Sequence, residues 1–122
     1  MKNVVEIGIK KISDTLIIIE KHFFKISFCF LLNFSLKFNL LLSIKTIIEN
    51  IDRVLKQAGS CLEDIIRLRI YVTDISRWEE AGNALGEFFK TIKPAQTLVG
   101  ISALVDPDML VEIEAEAVTV LL

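Results

Sequence analysis

Few side chains in this 122-residue sequence have types and spacings that could support chemistry. One His and two Cys, with neither a CxxC nor an HExxH spacing, predict that the chain has no metal site. His22 has no acidic or Cys neighbour at ligand spacing, and Cys61 has no basic neighbour in sequence that would activate its thiol. No Gly-rich phosphate loop is present, so we expect neither a metal nor a nucleotide cofactor.

An acidic stripe near the end of the sequence is the strongest remaining signal. Glu112, Glu114 and Glu116 alternate with apolar residues, as in a strand with one apolar face and one acidic face. Such a face can simply be solvated. Alternatively, the three like charges are paired across a sheet with basic residues, and Arg67 and Arg69 on the polar face of an earlier strand are available for this.

The elements that position these residues can be predicted from residue 44 onward. The apolar residues from Ile44 to Ala58 have helical spacing, and an alternating strand pattern follows them. The predicted elements are a helix over 44–58 that stops at Gly59, a strand over 65–72, a helix that a capping box of Ser76 and Glu79 opens and that Lys93 and Pro94 end, and strands over 97–104 and 110–120 around a turn at 106–108. The order is αβαββ.

Residues 16–48 differ in composition from the remainder of the chain. They contain six of the eight Phe, and 29 of these 33 residues are Phe, Ile, Leu, Lys, Asn or Ser. Three interpretations are open: a membrane span, a buried core element, or a stretch that was not selected as protein, such as an unspliced intron in an AT-rich genome. Lysines limit the longest charge-free run to 11 residues, which disfavours a span, and neither helical nor strand periodicity is clean. We favour the third interpretation.

Length and charge restrict the class of protein. The chain is long enough for one domain, over 1–122, and a net charge of −2 predicts no general attraction to nucleic acid or to an anionic membrane. Residues 1–48 carry seven Lys against three acidic residues, whereas residues 49–122 carry seven basic against thirteen acidic residues. Two cysteines without a signal peptide suit a reducing compartment, so we expect a cytoplasmic protein.

Residues 44–122 resemble the Rid/YjgF family of reactive-intermediate deaminases, over about two thirds of the chain. The segments that carry the resemblance are, in order, 48–59, 65–74, Asn83 to Phe89, Lys93-Pro94-Ala95 and Leu110 to Ala115. Upstream, residues 12–18 are faintly similar to an early strand of the family. The Ser-Gly-containing segment that should follow is replaced by residues 20–43, which we therefore expect not to extend the sheet as the family does.

The resemblance implies an α+β, chorismate-mutase-like fold, with a mixed sheet and two helices packed on one face. It also implies a homotrimer with clefts between its subunits. Active members of the family hydrolyse imine or enamine products of pyridoxal-phosphate enzymes to 2-oxo acids and ammonia, without metal or cofactor. The expected partners are thus small 2-imino acids or other small carboxylates, with no nucleic acid and no membrane.

The resemblance also assigns site residues. Glu112 matches the glutamate that positions the attacking water, Asn83 matches a helix Asn near the cleft, and Leu98 matches a residue whose backbone carbonyl is used. In the family an Arg that grips the substrate carboxylate follows the Pro-Ala pair, but Gln96 stands there in this sequence. Two hypotheses follow: an imine or enamine hydrolase of weak or altered activity, and a non-catalytic trimeric module that binds small molecules or partner proteins.

Overall fold

A six-stranded mixed sheet with two helices over one of its faces forms the protein, as seen in a computed structural model that describes residues 8–12, 15–20, 23–29 and 39–118. The elements are β1 (Gly8–Ile12), β2 (Thr15–Glu20), β3 (Phe23–Cys29), α1 (Leu40–Gln57), β4 (Ile65–Val72), α2 (Trp78–Phe89), β5 (Ala95–Gly100) and β6 (Val111–Val118). Beyond residue 40 the order is αβαββ. The predicted α+β, chorismate-mutase-like architecture is therefore confirmed.

The strand order in the sheet is β1-β2-β3-β6-β4-β5. Neighbouring strands are antiparallel except β4 and β5, which are parallel and are connected through α2. A parallel pair needs such a crossover, because the chain must return to the starting end of the sheet. This places β5 at one edge, next to β4, and β6 in the interior between β3 and β4.

Helix α1 begins four residues earlier than its apolar stripe predicts. Asn39 caps it, because its Oδ1 accepts a hydrogen bond from the Leu42 amide at 3.0 Å, and Leu40 is already buried. At the other end Gly59 has φ +83° and the Ser60 amide donates to the Leu55 carbonyl at 2.8 Å. This is the left-handed stop that the sequence predicts, and it satisfies two carbonyls of the last turn.

Strand β3 corrects the expectation for residues 20–43. It pairs along its whole length with β6, from Phe23 opposite Val118 to Cys29 opposite Glu112, so this stretch does continue the sheet. Residues 40–43 form the first turn of α1. The stretch contains seven residues that fit a strand between two others, and its Phe and Ile residues have high strand propensity whatever the origin of the composition.

Several element boundaries in the second half also differ from prediction. Asp74, not Ser76, caps the entry to α2: its Oδ1 accepts hydrogen bonds from the Ser76 amide at 3.1 Å and hydroxyl at 2.6 Å, so a 3-10 turn precedes the helix and the Ser76–Glu79 capping box does not open it. Helix α2 ends at Phe89, before Lys93. Strand β5 spans 95–100 rather than 97–104, and β6 begins at residue 111, while residues 119 and 120 of its predicted range lie outside the described residues.

The core lies between the helices and the sheet. The buried side chains come from one stripe of α1, one face of α2, and the alternate residues of β4 and β6 that face the helices. Ile48 and Ile51 of α1, and Leu68, Ile70 and Ile113 of the sheet, are all 0% exposed. The opposite face of β4 and β6 carries the polar residues that the sequence singled out.

Candidate functional site

The polar face of β4 and β6 is called the open face here, and it consists of Arg67, Arg69, Tyr71, Glu112, Glu114 and Glu116. In the antiparallel ladder Arg69 lies opposite Glu114, and Arg67 lies opposite Glu116. The Arg69 Nη1 lies 3.4 Å from Glu114 Oε2 and 3.9 Å from Glu116 Oε1. Of the two alternatives for the glutamate stripe, pairing with a basic residue across the ladder is observed for Arg69, which contacts Glu114 and Glu116. These side chains are half-buried, so each pair stabilises the sheet by no more than about 1 kcal/mol.

Glu112 lies at the end of the open face, opposite Tyr71 in the β4–β6 ladder. It is half-buried, and its ladder partners are Tyr71 on β4 and Cys29 on β3. The Tyr71 hydroxyl donates to Glu114 Oε2 at 3.4 Å. Burial raises the pKa of Tyr71, and the negative charge of Glu114 raises it further. Tyr71 thus keeps its proton at neutral pH, and the charged groups around it are the carboxylates of Glu112 and Glu114 and the guanidinium of Arg69.

Sequence reasoning missed Tyr71. The available signal was its position: it is the third polar-face residue of β4 after Arg67 and Arg69, and it is the only Tyr of the chain. Strand alternation alone therefore places it on the same face as the glutamates. What the sequence lacked was the register, which puts Tyr71 rather than either arginine opposite Glu112.

Gln96 and Leu98 lie on the edge strand β5. Gln96 is exposed, while Leu98 is half-buried and packs against the core. The Ile101 amide donates to the Val72 carbonyl at 2.9 Å, so backbone groups of odd-numbered residues here point toward β4. Since alternate residues of a strand direct their N–H and C=O groups to opposite edges, the Leu98 carbonyl points away from β4, where a ligand has access to it.

Asn83 lies on α2 and is exposed. It occupies the outer side of the helix, because Ala84 and Leu85, which follow it, are buried. Its amide is therefore available to solvent, but in one chain it is on the helix side of the molecule and not on the open face.

Gln96 and Glu112 are not brought together within one chain. In the ladders Gln96 aligns with Leu68 and Ala115, whereas Glu112 aligns with Tyr71, three residues and two strands away. Standard strand geometry converts this offset to a Cα separation of roughly 14 Å. The two side chains also belong to opposite faces, because Leu68 and Ala115 face the helices.

A small cavity lies near the entry to α2. It has a volume of about 10 Å³, enough for about one water molecule, and its lining includes Leu40, Val72, Asp74 and Arg77. Among residues 8–12, 15–20, 23–29 and 39–118, no group of three or more His, Cys, Asp or Glu has the arrangement of a metal site. In the same ranges, no helix is long and apolar enough to cross a membrane.

Cys61 precedes β4 and is half-buried as a free thiol. Burial raises its pKa, and a hydrogen bond with Glu63 and the charge of Asp64 contribute in the same direction. A thiol with a raised pKa is a poor nucleophile, so Cys61 matches the expectation of an unactivated residue. His22 falls outside the described residues.

The protein is an α+β domain: two helices cover one face of its mixed sheet, and the other face of β4 and β6 is polar and carries the glutamate stripe. The sequence profile of the family described as Endoribonuclease L-PSP matches residues 40–119, and the chain belongs to this family. A RutC family protein from Pyrococcus abyssi is 36% identical over 73 residues, which cover 60% of this chain and 57% of the relative. The chain therefore spans about half the length of the curated relatives that it matches.

Solved structures extend the comparison to the sheet. A member of the YjgF/YER057c/UK114 family from Mycobacterium tuberculosis is 32% identical, with a TM-score of 0.68, and the match covers 89% of this chain and 82% of that chain. A proposed translation initiation inhibitor from Salmonella typhimurium shares the fold with a TM-score of 0.83 at 19% identity, over 94% of this chain and 99% of that chain. The Rid/YjgF resemblance of the sequence is thus confirmed as family membership.

Proposed function

We propose that the protein hydrolyses imine or enamine intermediates to 2-oxo acids and ammonia, with weak activity. The observation that carries this proposal is Glu112, a half-buried carboxylate at the end of the open face with a protonated phenol as its ladder partner. The family that the chain resembles uses this position to hold the attacking water. This chain contains only two cysteines, which suits a reducing compartment, and we therefore place the proposed reaction in the cytoplasm.

The chemistry needs one carboxylate that can move a proton in both directions. The water oxygen bonds to the imine carbon, the π electron pair moves to nitrogen, and Glu112 accepts the water proton. Glu112 then returns this proton to nitrogen. Glu112 next passes the hydroxyl proton to nitrogen, the C–N bond breaks with its electron pair on nitrogen while the oxygen electron pair forms the carbonyl of the 2-oxo acid, and NH3 leaves.

Weak activity follows from Gln96. An Arg at this position would bind the substrate carboxylate through two charge-assisted hydrogen bonds, whereas the Gln amide offers one neutral donor group. A hydrogen bond to a charged group is worth about 1.5–3 kcal/mol, so its absence weakens binding roughly tenfold to a hundredfold. The exposed position of Gln96 on an edge strand leaves room for the longer side chain.

A homotrimer is part of the proposal, because one chain does not assemble the site. Gln96 and Glu112 lie on opposite faces and two strands apart. They can act on one substrate only if neighbouring subunits supply them, which fits clefts between subunits. Sedimentation equilibrium at micromolar concentration tests this, and a monomer would contradict both the trimer and the cleft.

The activity is tested by ammonia release from imines that an amino-acid oxidase generates from small 2-amino acids. We expect the wild type to be slightly above background and Gln96→Arg to be faster by one to two orders of magnitude. Adding Glu112→Gln to Gln96→Arg should remove most of the gain. Gln57→Arg is the matched control, since it adds the same charge at an exposed residue at the end of α1 and should change nothing.

The presence of Gln96 where the family has an Arg also favours a second function. Without the cationic anchor, the clefts fit a non-catalytic module that binds small molecules or partner proteins. No rescue by Gln96→Arg in a folded trimer would support this module over the hydrolase. An RNA substrate, as the family description suggests for other members, is disfavoured because three glutamates on the open face would repel a phosphate backbone.

A further inference from the structure

Tyr71 has a position on the open face that the proposed reaction does not yet use. It lies directly opposite Glu112 in the β4–β6 ladder, and directly opposite residues have Cβ atoms roughly 5 Å apart. Its hydroxyl also reaches Glu114 Oε2, which is the next residue along on the same face. The phenol therefore lies within reach of both carboxylates at the end of the glutamate stripe.

We propose that Tyr71 donates a hydrogen bond to the water that Glu112 holds, an inference that rests on the imine hydrolysis proposed above. A water molecule bound only to a carboxylate can still rotate about that hydrogen bond. A second group that donates a hydrogen bond to one lone pair of the water oxygen fixes the orientation of the water. The other lone pair is then directed at the imine carbon. Glu112 accepts the proton from this water and Tyr71 keeps its own, so the reaction's balance is unchanged.

The surroundings of Tyr71 keep it a donor. Burial and the charges of Glu114 and Glu112 raise the pKa of the phenol, and the positive charge of Arg69 only partly opposes them. Its ladder partner on β5, Val99, is uncharged. A phenol that stays protonated complements an acceptor carboxylate, and together the two groups match the donor and acceptor sides of one water molecule.

The contact with Glu114 does not hold the phenol firmly. At 3.4 Å it is long for an O–H···O hydrogen bond, whose usual range ends near about 3.0 Å. The same Oε2 atom also accepts from Arg69 at 3.4 Å, so Glu114 retains a charged partner when the phenol turns toward Glu112. Tyr71 is therefore free to exchange Glu114 for a water bound at Glu112.

The test combines steady-state kinetics with titration of the single tyrosine. In the Gln96→Arg background we expect Tyr71→Phe to lower kcat about tenfold with little change in KM, because one neutral hydrogen bond to the reacting water is lost. Thr73→Val is the matched control: it removes a hydroxyl from an exposed residue just past the end of the same strand and should leave kcat unchanged. Glu114→Gln should lower kcat less than Tyr71→Phe does.

The titration of Tyr71 detects its interaction with Glu112 independently of catalysis. Ultraviolet absorbance of the phenolate reports Tyr71 alone, and Glu112→Gln should lower the pKa of this phenol. Equal kcat in Tyr71→Phe and its parent, equal losses in Tyr71→Phe and Glu114→Gln, or a phenol titration that Glu112→Gln does not move would each overturn the role of Tyr71. Absence of hydrolysis in both the wild type and Gln96→Arg would instead overturn the proposed function itself.

Discussion

Leu40 and Leu42 offer a direct test of whether the segment before residue 44 is an integral part of the fold. Both lie in the first turn of α1, but Leu40 is 2% exposed and Leu42 is 42% exposed. A Leu→Ala change removes three carbon atoms, at about 0.8 kcal/mol per buried CH₂ group. For Leu40 this gives about 2.4 kcal/mol, and the cavity that remains raises the loss to about 3–4 kcal/mol.

Leu42→Ala is the matched control. Water can fill the space at this residue and part of the side chain is already solvated, so we expect a loss of about 1 kcal/mol. Reversible urea unfolding of the two variants and the wild type measures both values, and the m-value should stay constant. Equal free energies of unfolding for the two variants would refute the packing of residues 40–43 and would support an inserted segment that the domain does not need.

Three further predictions concern backbone and charge. Gly59→Ala should lower the free energy of unfolding by about 1 kcal/mol, seen in urea melts, because φ is +83° and no neighbour lies within 4 Å of the new Cβ to add a clash. Gly100→Ala should lower the free energy of unfolding by about 1–3 kcal/mol, since the new Cβ would lie 2.8 Å from Ile75 Cβ. As a contrast, Gly82→Ala on α2 should be stabilising, because no neighbour lies within 4 Å of its new Cβ and Ala favours a helix over Gly. Arg77 donates two hydrogen bonds of 2.9 Å to Glu80 and holds the pKa of this carboxyl below its usual range. The Arg77–Glu80 interaction stabilises the folded state fully above the ordinary carboxyl pKa of the unfolded chain, and this stabilisation is lost as pH falls through the lowered pKa of the folded state. Melting temperatures should therefore fall more steeply in acid for the wild type than for Glu80→Gln.

The two helices and strands β4 and β6 were predictable because their burial follows a simple period. The stripe from Ile44 to Leu55 and the alternation along β4 each have one buried face, and Gly59 marks a stop that needs a left-handed residue. Boundaries were less predictable where two capping signals compete. Asp74 and Ser76 can both cap a helix, and the structure uses Asp74, because it accepts from both the amide and the hydroxyl of Ser76.

Strand β3 was missed for a different reason. A strand between two others has both of its edges hydrogen-bonded, so its place depends on partners that are distant in sequence, here β6 about 90 residues further along. Composition alone carries no information about such pairing, and a stretch of Phe, Ile and Lys fits a strand, a helix or neither. The glutamates of β6, by contrast, indicated a two-faced strand and its basic partners from alternation alone.

The candidate site depends on register more than on any single residue. Shifting β6 by two residues against β4 would keep every side chain on its face, yet it would place Arg69 opposite Glu112 and neutralise the carboxylate that the proposed reaction needs. The observed register instead aligns Arg69 with Glu114 and Arg67 with Glu116, and it aligns Tyr71 with Glu112. Arg69 thus contacts Glu114 and Glu116, while a phenol stands opposite the last glutamate of the stripe in β4. The proposed reaction therefore depends on the β4–β6 register, because this register sets the phenol of Tyr71 opposite Glu112.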